Sequence, residues 1–356
     1  MPSNTTVNRV SAIFISPSTS IDRATRKWYP TVHFTFKMYN PTTKERVWRS
    51  TNVTNFVTPP TGLDKRSCKS DHFSVTYKPL PGTDTPEAFS IFAHATDDVQ
   101  ISLDVTRPAS TPGYKIGKGS KGGFSYYGPD VENPEGFVFH SFWPRTMCNG
   151  HIIYKGRAIE AKGPGMFIHL IMSMRPNIIA SRWNFATFQS EEHGGVSAAQ
   201  VELTTLDSYG PKGAGSGGVK VNFGSIVLDG KLVSVTAETK FPEEEYSDDP
   251  ETKSRAFHHN CLADPETTYD KPTEIEFQWS GPSNVEDAPG RVDGVLKLDV
   301  GDVAEPKGLV EKVDVLAEVP AIVKSVISYL GTKPYIYQVR LCDLIRDSLT
   351  EIQISG

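Results

Sequence analysis

Apolar residues recur at every second position in many short windows of the chain, and glycine, proline, asparagine or aspartate closes most of these windows. In the window 32–39, one side of an extended backbone would carry Val32, Phe34, Phe36 and Met38. The same alternation returns in the windows 275–279, 296–300 and 335–341. Period two is typical of half-buried antiparallel strands. The pattern therefore predicts an all-β chain built from many short strands.

One segment near the C-terminus follows a different spacing. Its apolar positions lie three and four residues apart, at Val319, Ile322, Val323, Val326, Ile327 and Leu330. Pro320 would fall in the first turn, where a helix needs no N–H, and Gly331 follows the last turn. This spacing predicts one amphipathic helix.

The chain is too long for one small barrel. Its 356 residues, 38% of them hydrophobic, provide enough apolar material for a sizeable core. Two β domains are therefore predicted. Arg175-Pro176-Asn177 interrupts the strand pattern, so the predicted boundary lies near residue 180, giving domains 1–180 and 181–356.

Charge and cysteine spacing exclude several classes of function. The 37 basic residues are outnumbered by 42 acidic ones and form no basic cluster, so nucleic acid is not expected as a partner. The four cysteines are far apart and are read as reduced thiols: Cys68, Cys148, Cys261 and Cys342. No apolar run reaches the roughly 18 residues that a membrane-spanning helix needs. The sequence predicts a cytoplasmic protein with no integral membrane segment and no secretory signal.

The familiar motifs of covalent, nucleotide and metal chemistry are missing from the sequence. His258-His259-Asn260-Cys261 places three metal-capable side chains within four positions. Zinc sites, however, draw their ligands from separated segments, and this loop lacks that spacing. The sequence therefore predicts no metal and no cofactor.

The richest cluster of candidate binding residues lies between Phe124 and Arg145, where aromatic residues accompany His140 and Arg145. Such a cluster either lines an apolar cavity with a few polar groups or fills the core. His169 lies in an apolar stretch, where a hydrogen-bonded core histidine is the competing interpretation. Arg182 precedes Trp183, which indicates either cation–π packing or a ligand clamp.

Several motifs in the same order resemble the fungal survival-factor family. They include Tyr126-Tyr127-Gly128, Phe142-Trp143-Pro144-Arg145, Arg182-Trp183-Asn184-Phe185, Phe188-Gln189-Ser190, Glu202-Leu203-Thr204-Thr205, Ser208-Tyr209-Gly210, and a tail running from Lys312 to Pro320 and from Gly331 to Gln338. The resemblance extends from about residue 28 to residue 339. It implies two lipocalin-like domains, each an antiparallel β-barrel or sandwich.

The resemblance implies two competing functions. Survival factors are peripheral-membrane ceramide carriers, whereas shorter relatives are cofactor-free hetero-Diels–Alderases that join a tropolone-derived o-quinone methide to a humulene-type sesquiterpene. The short polar start of this chain and Asn177-Ile178, where survival factors carry two histidines, favour the second branch. The expected function is therefore a hetero-Diels–Alderase in fungal secondary metabolism. The alternative is an intracellular protein that binds or transfers ceramide, and a scaffold protein is a third hypothesis.

A cycloaddition of this kind needs an apolar chamber and hydrogen-bond donors rather than a nucleophile or a metal. The partners of this chain would then be two small apolar substrates. The expected catalytic donors are Arg145, His169, Arg182 and Tyr127. The expected substrate-binding residues are Tyr126, His140, Phe142, Trp143, Trp183 and Phe185.

Overall fold

The structure is a computed structural model, and the regular elements among the residues that it describes are β-strands. It describes residues 9–21, 28–40, 42–60, 63–116, 122–128, 130, 133–172, 180–191, 194–207, 218–240, 253–314, 335–339 and 352–355.

The described residues form 23 strands. In the first half of the chain they are β1 (Arg9–Ile21), β2 (Trp28–Tyr39), β3 (Arg46–Val53), β4 (Cys68–Lys69), β5 (Phe73–Pro79), β6 (Glu87–Thr96), β7 (Val99–Arg107), β8 (Phe124–Tyr127), β9 (Gly136–Tyr154), β10 (Arg157–Glu160) and β11 (Gly163–Met172). In the second half they are β12 (Ala180–Ser190), β13 (Val196–Thr205), β14 (Lys220–Leu228), β15 (Lys231–Lys240), β16 (Lys253–His259), β17 (Leu262–Ala263), β18 (Asp270–Lys271), β19 (Glu274–Pro282), β20 (Arg291–Asp299), β21 (Leu309–Asp314), β22 (Tyr335–Val339) and β23 (Ile352–Ser355).

Backbone contacts divide the chain into two units, and the first comprises Met1–Tyr114 and Ser141–His169. It contains a three-stranded sheet, β1-β2-β3, and a longer sheet in the order β10-β9-β7-β6-β5-β4. Phe34 and Phe36 from β2 are fully buried in one cluster with the inward-facing residues of β7. Burying each phenylalanine contributes about 1.5–3 kcal/mol, so this cluster holds the two sheets face to face.

The second unit comprises Lys115–His140 and Leu170–Gly356. The four-stranded sheet β12-β13-β14-β15 faces a second four-stranded sheet, β16-β19-β20-β23. Between them lies a second apolar cluster, to which the first sheet contributes Phe188 and Ile226 and the second Phe277, Trp279 and Leu298. Strand β13 is buried at nearly every position, on both of its faces.

The indole of Trp279 links the two sheets of the second unit. Its Nε1 donates a hydrogen bond to the Ala199 carbonyl on β13, at 2.9 Å. It passes over Gly224 of β14 so closely that a Cβ there would lie 2.7 Å from the indole nitrogen and 2.6 Å from the carbonyl oxygen. Glycine is therefore required at this close approach.

The all-β prediction is confirmed, since the windows at 32–39 and 275–279 lie in β2 and β19, and all but the last residue of the window 296–300 lies in β20. The prediction left open a barrel or a sandwich for each domain, and the barrel is not formed in the part of the chain that the structure describes, because its sheets are open. The main path of the long sheet ends at β4 and β10, with only two and four residues, and β8 and β11 pair with β9 beside that path. So few backbone groups cannot complete the continuous pairing that a barrel requires.

Two other predictions have different outcomes. The helix predicted at 319–330 falls in the stretch 315–334, outside the described residues. The domain boundary at residue 180 stays a prediction. The two units divide the main chain between His169 and Leu170, and residues 115–140 belong with the second unit.

Gly224→Ala is expected to lower the free energy of unfolding by about 1–3 kcal/mol. The new methyl group would clash with the Trp279 indole and the Ala199 carbonyl, which are joined by a hydrogen bond. Urea denaturation followed by tryptophan fluorescence measures the loss. Gly165→Ala is the matched control, since its methyl group meets only side-chain atoms of Cys148 and Thr146, at 3.0 and 3.2 Å. Equal losses in the two variants would contradict the role given to Gly224.

Candidate functional site

A short hairpin of the second unit presents two chemically different faces. Strand β8 pairs with the first residues of β9, so that Phe124 lies opposite Phe139 and Tyr127 opposite Gly136. Because side chains alternate along a strand, one face carries Ser125, Tyr127, Val138 and His140. The other face carries Phe124, Tyr126, Phe137 and Phe139.

The first of these faces borders a cavity of about 170 Å³, called here the hairpin cavity. Ser125 and His140 line it from the hairpin, and Val221, Phe223 and Ala237 line it from β14 and β15. Its remaining lining residues are Ile116, Gly123 and Asn222. Every lining residue belongs to the second unit. The cavity thus combines an apolar sheet surface with a few polar groups, which is the usual composition of a small-molecule site.

Gly123 sets the position of the hairpin beside this cavity. Its carbonyl accepts a hydrogen bond from the His140 backbone N–H, at 2.9 Å. Its φ of +90° lies in the region that favours glycine, and a Cβ there would lie 2.7 Å from the Phe139 ring. The backbone of Gly123 therefore fixes His140 at the cavity wall.

Burial makes the polar groups at the cavity uncharged. It lowers the pKa of His140 to about 4, so the imidazole is neutral at pH 7. Burial also raises the pKa of Tyr127 to about 12. The Tyr127 hydroxyl is buried without a hydrogen-bond partner among the described residues. The hairpin thus offers neutral hydrogen-bonding groups at the cavity and beside it.

The register of the sheet continues the apolar surface away from the cavity. Phe223 lies opposite Val201 on β13, and Val201 lies opposite Phe185 on β12. The neighbouring row runs in the same way from Val221 through Leu203 to Trp183. These two rows are called the apolar rows.

The exposure of the side chains changes along the apolar rows. Val201 and Leu203 are buried, whereas Trp183 and Phe185 are 55% and 40% exposed at the sheet edge. The two exposed rings stack with their centroids 6.1 Å apart. The rows therefore join the cavity wall to an exposed aromatic edge.

The outer face of the hairpin is a separate aromatic cluster. The Phe124 ring lies 5.3 Å from Phe137 and 5.1 Å from Phe139, measured between centroids. It also stacks on Tyr126 at 6.1 Å, and these two residues are 36% and 43% exposed. Tyr126, predicted to bind substrate, therefore faces away from the hairpin cavity.

Four of the predicted site residues belong to the first unit, and two of these are core aromatics. Phe142 and Trp143 are 1% and 6% exposed. The Trp143 ring packs against Phe89 and Phe167, with centroids 4.8 and 5.4 Å apart. Between cavity lining and core filling, the structure places these two residues in the core.

The other two are Arg145, which is buried, and His169, which is half-buried. Burial lowers the pKa of His169, and the neighbouring Asp64 and Arg66 act on it in opposite directions. Arg182, in the second unit, is exposed. It alternates with Trp183, so it lies on the opposite face of β12. The structure therefore gathers Tyr127 and His140 at the hairpin, and Trp183 and Phe185 at the sheet edge.

Sequence reasoning missed the residues that supply most of the cavity wall. Phe223 and Ala237 lie about 100 positions after the hairpin, and only the register of β14 and β15 brings them to it. The alternation around Phe223 predicts a strand, but it does not predict which other residues the side chain of Phe223 contacts.

The predicted metal-capable loop is not gathered into one cluster. His258 and Cys261 are exposed, whereas His259 lies beside Glu274 and Glu276 of β19. The two glutamates follow the loop by more than ten positions, so the spacing within the loop does not predict them. Within the part of the chain that the structure describes, no helix is long and apolar enough to cross a membrane.

Comparison with known proteins identifies relatives over most of the chain. A ceramide-binding protein SVF1 of Yarrowia lipolytica is 34% identical over 340 residues, covering 92% of this chain and 74% of its own. A ceramide-binding protein svf1 of Aspergillus fumigatus is 32% identical over 331 residues, covering 92% of this chain and 71% of its own. A crystal structure of a Nitrosomonas europaea protein assigned to AttH has a TM-score of 0.46 and 12% identity, and covers 80% of this chain and 81% of its own. A likeness of that size says nothing about function.

These relatives overturn the predicted hetero-Diels–Alderase, because they are named for binding ceramide and no comparison indicates a cycloaddition. The prediction depended on two departures from the survival factors, the polar start and Asn177-Ile178. Neither outweighs similarity along nine-tenths of the chain. The predicted role in terpenoid and tropolone biosynthesis is wrong for the same reason.

The resemblance itself is confirmed. A family model described as the Svf1 family matches residues 23–344. Since this match spans most of the 356 residues and agrees with the relatives at 34% and 32% identity, the chain belongs to the Svf1 family.

Proposed function

We propose that this chain binds a neutral sphingolipid of the ceramide class, and that the hairpin cavity receives the polar end of the lipid. The observation that carries this proposal is the similarity along 92% of the chain to proteins named for binding ceramide. Ceramide is a small apolar lipid, which agrees with the expected class of ligand but not with the two substrates first predicted. The expectations of an enzyme and of a cytoplasmic location stay predictions.

The chemistry of the hairpin cavity suits an uncharged polar group. A ceramide head carries an amide and two hydroxyl groups but no ionised group. A charged histidine beside such a head would lose its hydration without gaining an ionic partner. Burial keeps His140 neutral, and a neutral imidazole both donates and accepts a hydrogen bond. Ser125 adds a hydroxyl that also does both.

The size of the cavity limits how much of the lipid it encloses. Its volume of about 170 Å³ is smaller than the roughly 300–1,000 Å³ of typical ligand pockets. The hydrocarbon chains must therefore lie outside it. The apolar rows offer a continuous path from Val221 and Phe223 to the sheet edge.

Each methylene removed from water contributes about 0.8 kcal/mol, so chains laid along the rows would provide most of the binding free energy. Val201 and Leu203 are buried, so the lipid must displace what covers them. Trp183 and Phe185 are already exposed and would contact the distal part of the chains.

Filling the hairpin cavity is the direct test. Ala237→Phe places a large ring beside Phe223, and we expect it to weaken binding of a fluorescent ceramide analogue by at least about tenfold, since the polar end loses its place. Fluorescence titration of the purified chain, with unlabelled ceramide as competitor, measures the affinity. Ala158→Phe makes the same change at an exposed position of the first unit and should bind as the wild type does.

Two outcomes would overturn the proposal. One is wild-type protein that fails to bind the ceramide analogue. The other is an Ala237→Phe variant that has the wild-type melting temperature and binds ceramide with unchanged affinity. That result would show that the hairpin cavity is not part of the lipid-binding site.

Trp183→Ala is expected to weaken ceramide binding by about tenfold, because the distal chain loses an aromatic contact. The melting temperature should change little, since the side chain is 55% exposed. Trp48→Ala, at a 42% exposed tryptophan of the first unit, is the control and should leave the affinity unchanged. Equal affinities for Trp183→Ala and wild type would show that the chains do not reach the sheet edge.

His140 makes the fold sensitive to acid. Its pKa is about 4 in the folded chain and 6.5 in the reference state, so the unfolded chain binds the proton first as the pH falls. Stability from this group is fully present above pH 6.5 and is lost as the pH falls towards 4. Between pH 7 and pH 4 the wild type should lose about 3 kcal/mol more unfolding free energy than His140→Asn.

Urea denaturation of both proteins across this pH range measures the difference. The other histidines titrate equally in both and cancel in the comparison. Parallel curves would mean that His140 is protonated without cost in the folded chain.

A further inference from the structure

Three side chains with metal-binding chemistry converge on the outer face of the second sheet of the second unit. His259 ends β16 and lies directly opposite Glu274, the first residue of β19. Glu276 lies two positions further along β19, on the same face. The three side chains therefore come from two strands that are separated in sequence by the short strands β17 and β18.

The geometry of this cluster is close to that of a metal site. The His259 nitrogen and one oxygen from each glutamate all lie within 4.8 Å of one another. His259 Nε2 is 3.8 Å from Glu276 Oε2. A tetrahedral zinc ion with bonds of about 2.1 Å separates its ligand atoms by about 3.4 Å. Small changes of side-chain rotamer would close the difference.

Two of the three groups lack the partners that polar side chains normally have. His259 Nε2 is shielded from solvent and has no hydrogen-bond partner among the described residues. The half-buried Glu274 carboxylate takes part in no hydrogen bond or ion pair among those residues. A buried nitrogen without a partner is unfavourable, and a cation shared with the Glu274 carboxylate would satisfy His259 Nε2.

We propose that His259, Glu274 and Glu276 bind one divalent transition-metal ion. Zinc is the expected metal, and a water molecule would occupy the remaining coordination position. One imidazole and two carboxylates are a ligand set that suits zinc. The imidazole disfavours magnesium and calcium, which take oxygen ligands. The ion would join the end of β16 to β19, independently of the lipid site.

Lys297 would compete with a metal ion for the Glu276 carboxylate. Its Nζ lies 3.1 Å from Glu276 Oε2, and Gln278 donates to the other oxygen of that carboxylate at 2.5 Å. Metal binding must break the ion pair with Lys297, whereas the Gln278 bond holds the carboxylate in place. Removing Lys297 should therefore strengthen metal binding, an effect that a damaged fold would not produce.

The test uses the full chain, stripped of metal with a chelator and dialysed. Isothermal titration with Zn²⁺ should give one ion per chain, and Co²⁺ should develop the visible d–d absorption of a low-coordinate nitrogen and oxygen site. His259→Ala, Glu274→Gln and Glu276→Gln should each weaken Zn²⁺ binding by at least about tenfold. Circular dichroism and thermal melting confirm that each variant is folded.

Two further variants distinguish loss of a metal ligand from other causes of weaker Zn²⁺ binding. Lys297→Met should strengthen Zn²⁺ binding about two- to fivefold, the size of an exposed ion pair. His258→Ala is the matched control, because this histidine precedes His259 on β16 and faces the other way, and it should bind Zn²⁺ as the wild type does.

Several results would overturn the proposal. Wild-type protein that shows neither heat with Zn²⁺ nor a visible Co²⁺ band has no such site. Binding that depends on His258 or Cys261 would assign the ligands to the loop instead. Binding that Lys297→Met leaves unchanged, or that survives His259→Ala, would show that this cluster is an ion-pair network without a metal.

Discussion

Strand β14 is buried on both faces, and this constraint governs the whole second unit. On one side, Gly224 admits the Trp279 indole, whose hydrogen bond to Ala199 fixes the register of two facing sheets. On the other side, the preceding residue, Phe223, forms part of the wall of the hairpin cavity. A one-residue slip of β14 would exchange these faces, so the core and the cavity depend on the same register.

Much of the fold was predictable because period two reports on single strands. The windows at 32–39 and 275–279 show which side chains face inward, and Phe34 and Phe277 are indeed buried. Closure of a sheet is a property of its edges, and no local pattern indicates that β4 and β10 remain unpaired with each other. Barrel and open sheet therefore look alike in sequence until pairing is known.

The site was less predictable than the fold, for a physical reason. Tyr127 and His140 are close because they belong to one hairpin, which is local in sequence, whereas Phe223 and Ala237 join it only through long-range pairing. Trp143 attracted attention as an aromatic beside an arginine, yet it packs on Phe89 and Phe167 in a core. A family motif made of core residues identifies the fold and carries little information about the ligand.

The buried middle of the apolar rows has a kinetic consequence. A two-chain lipid lying across Val201 and Leu203 leaves only after the protein uncovers those residues. Its residence time would then be governed by the opening rate of the protein rather than by the diffusion of the lipid. Under the proposed function, lipids of different chain length would then share a dissociation rate that is set by the opening of the protein.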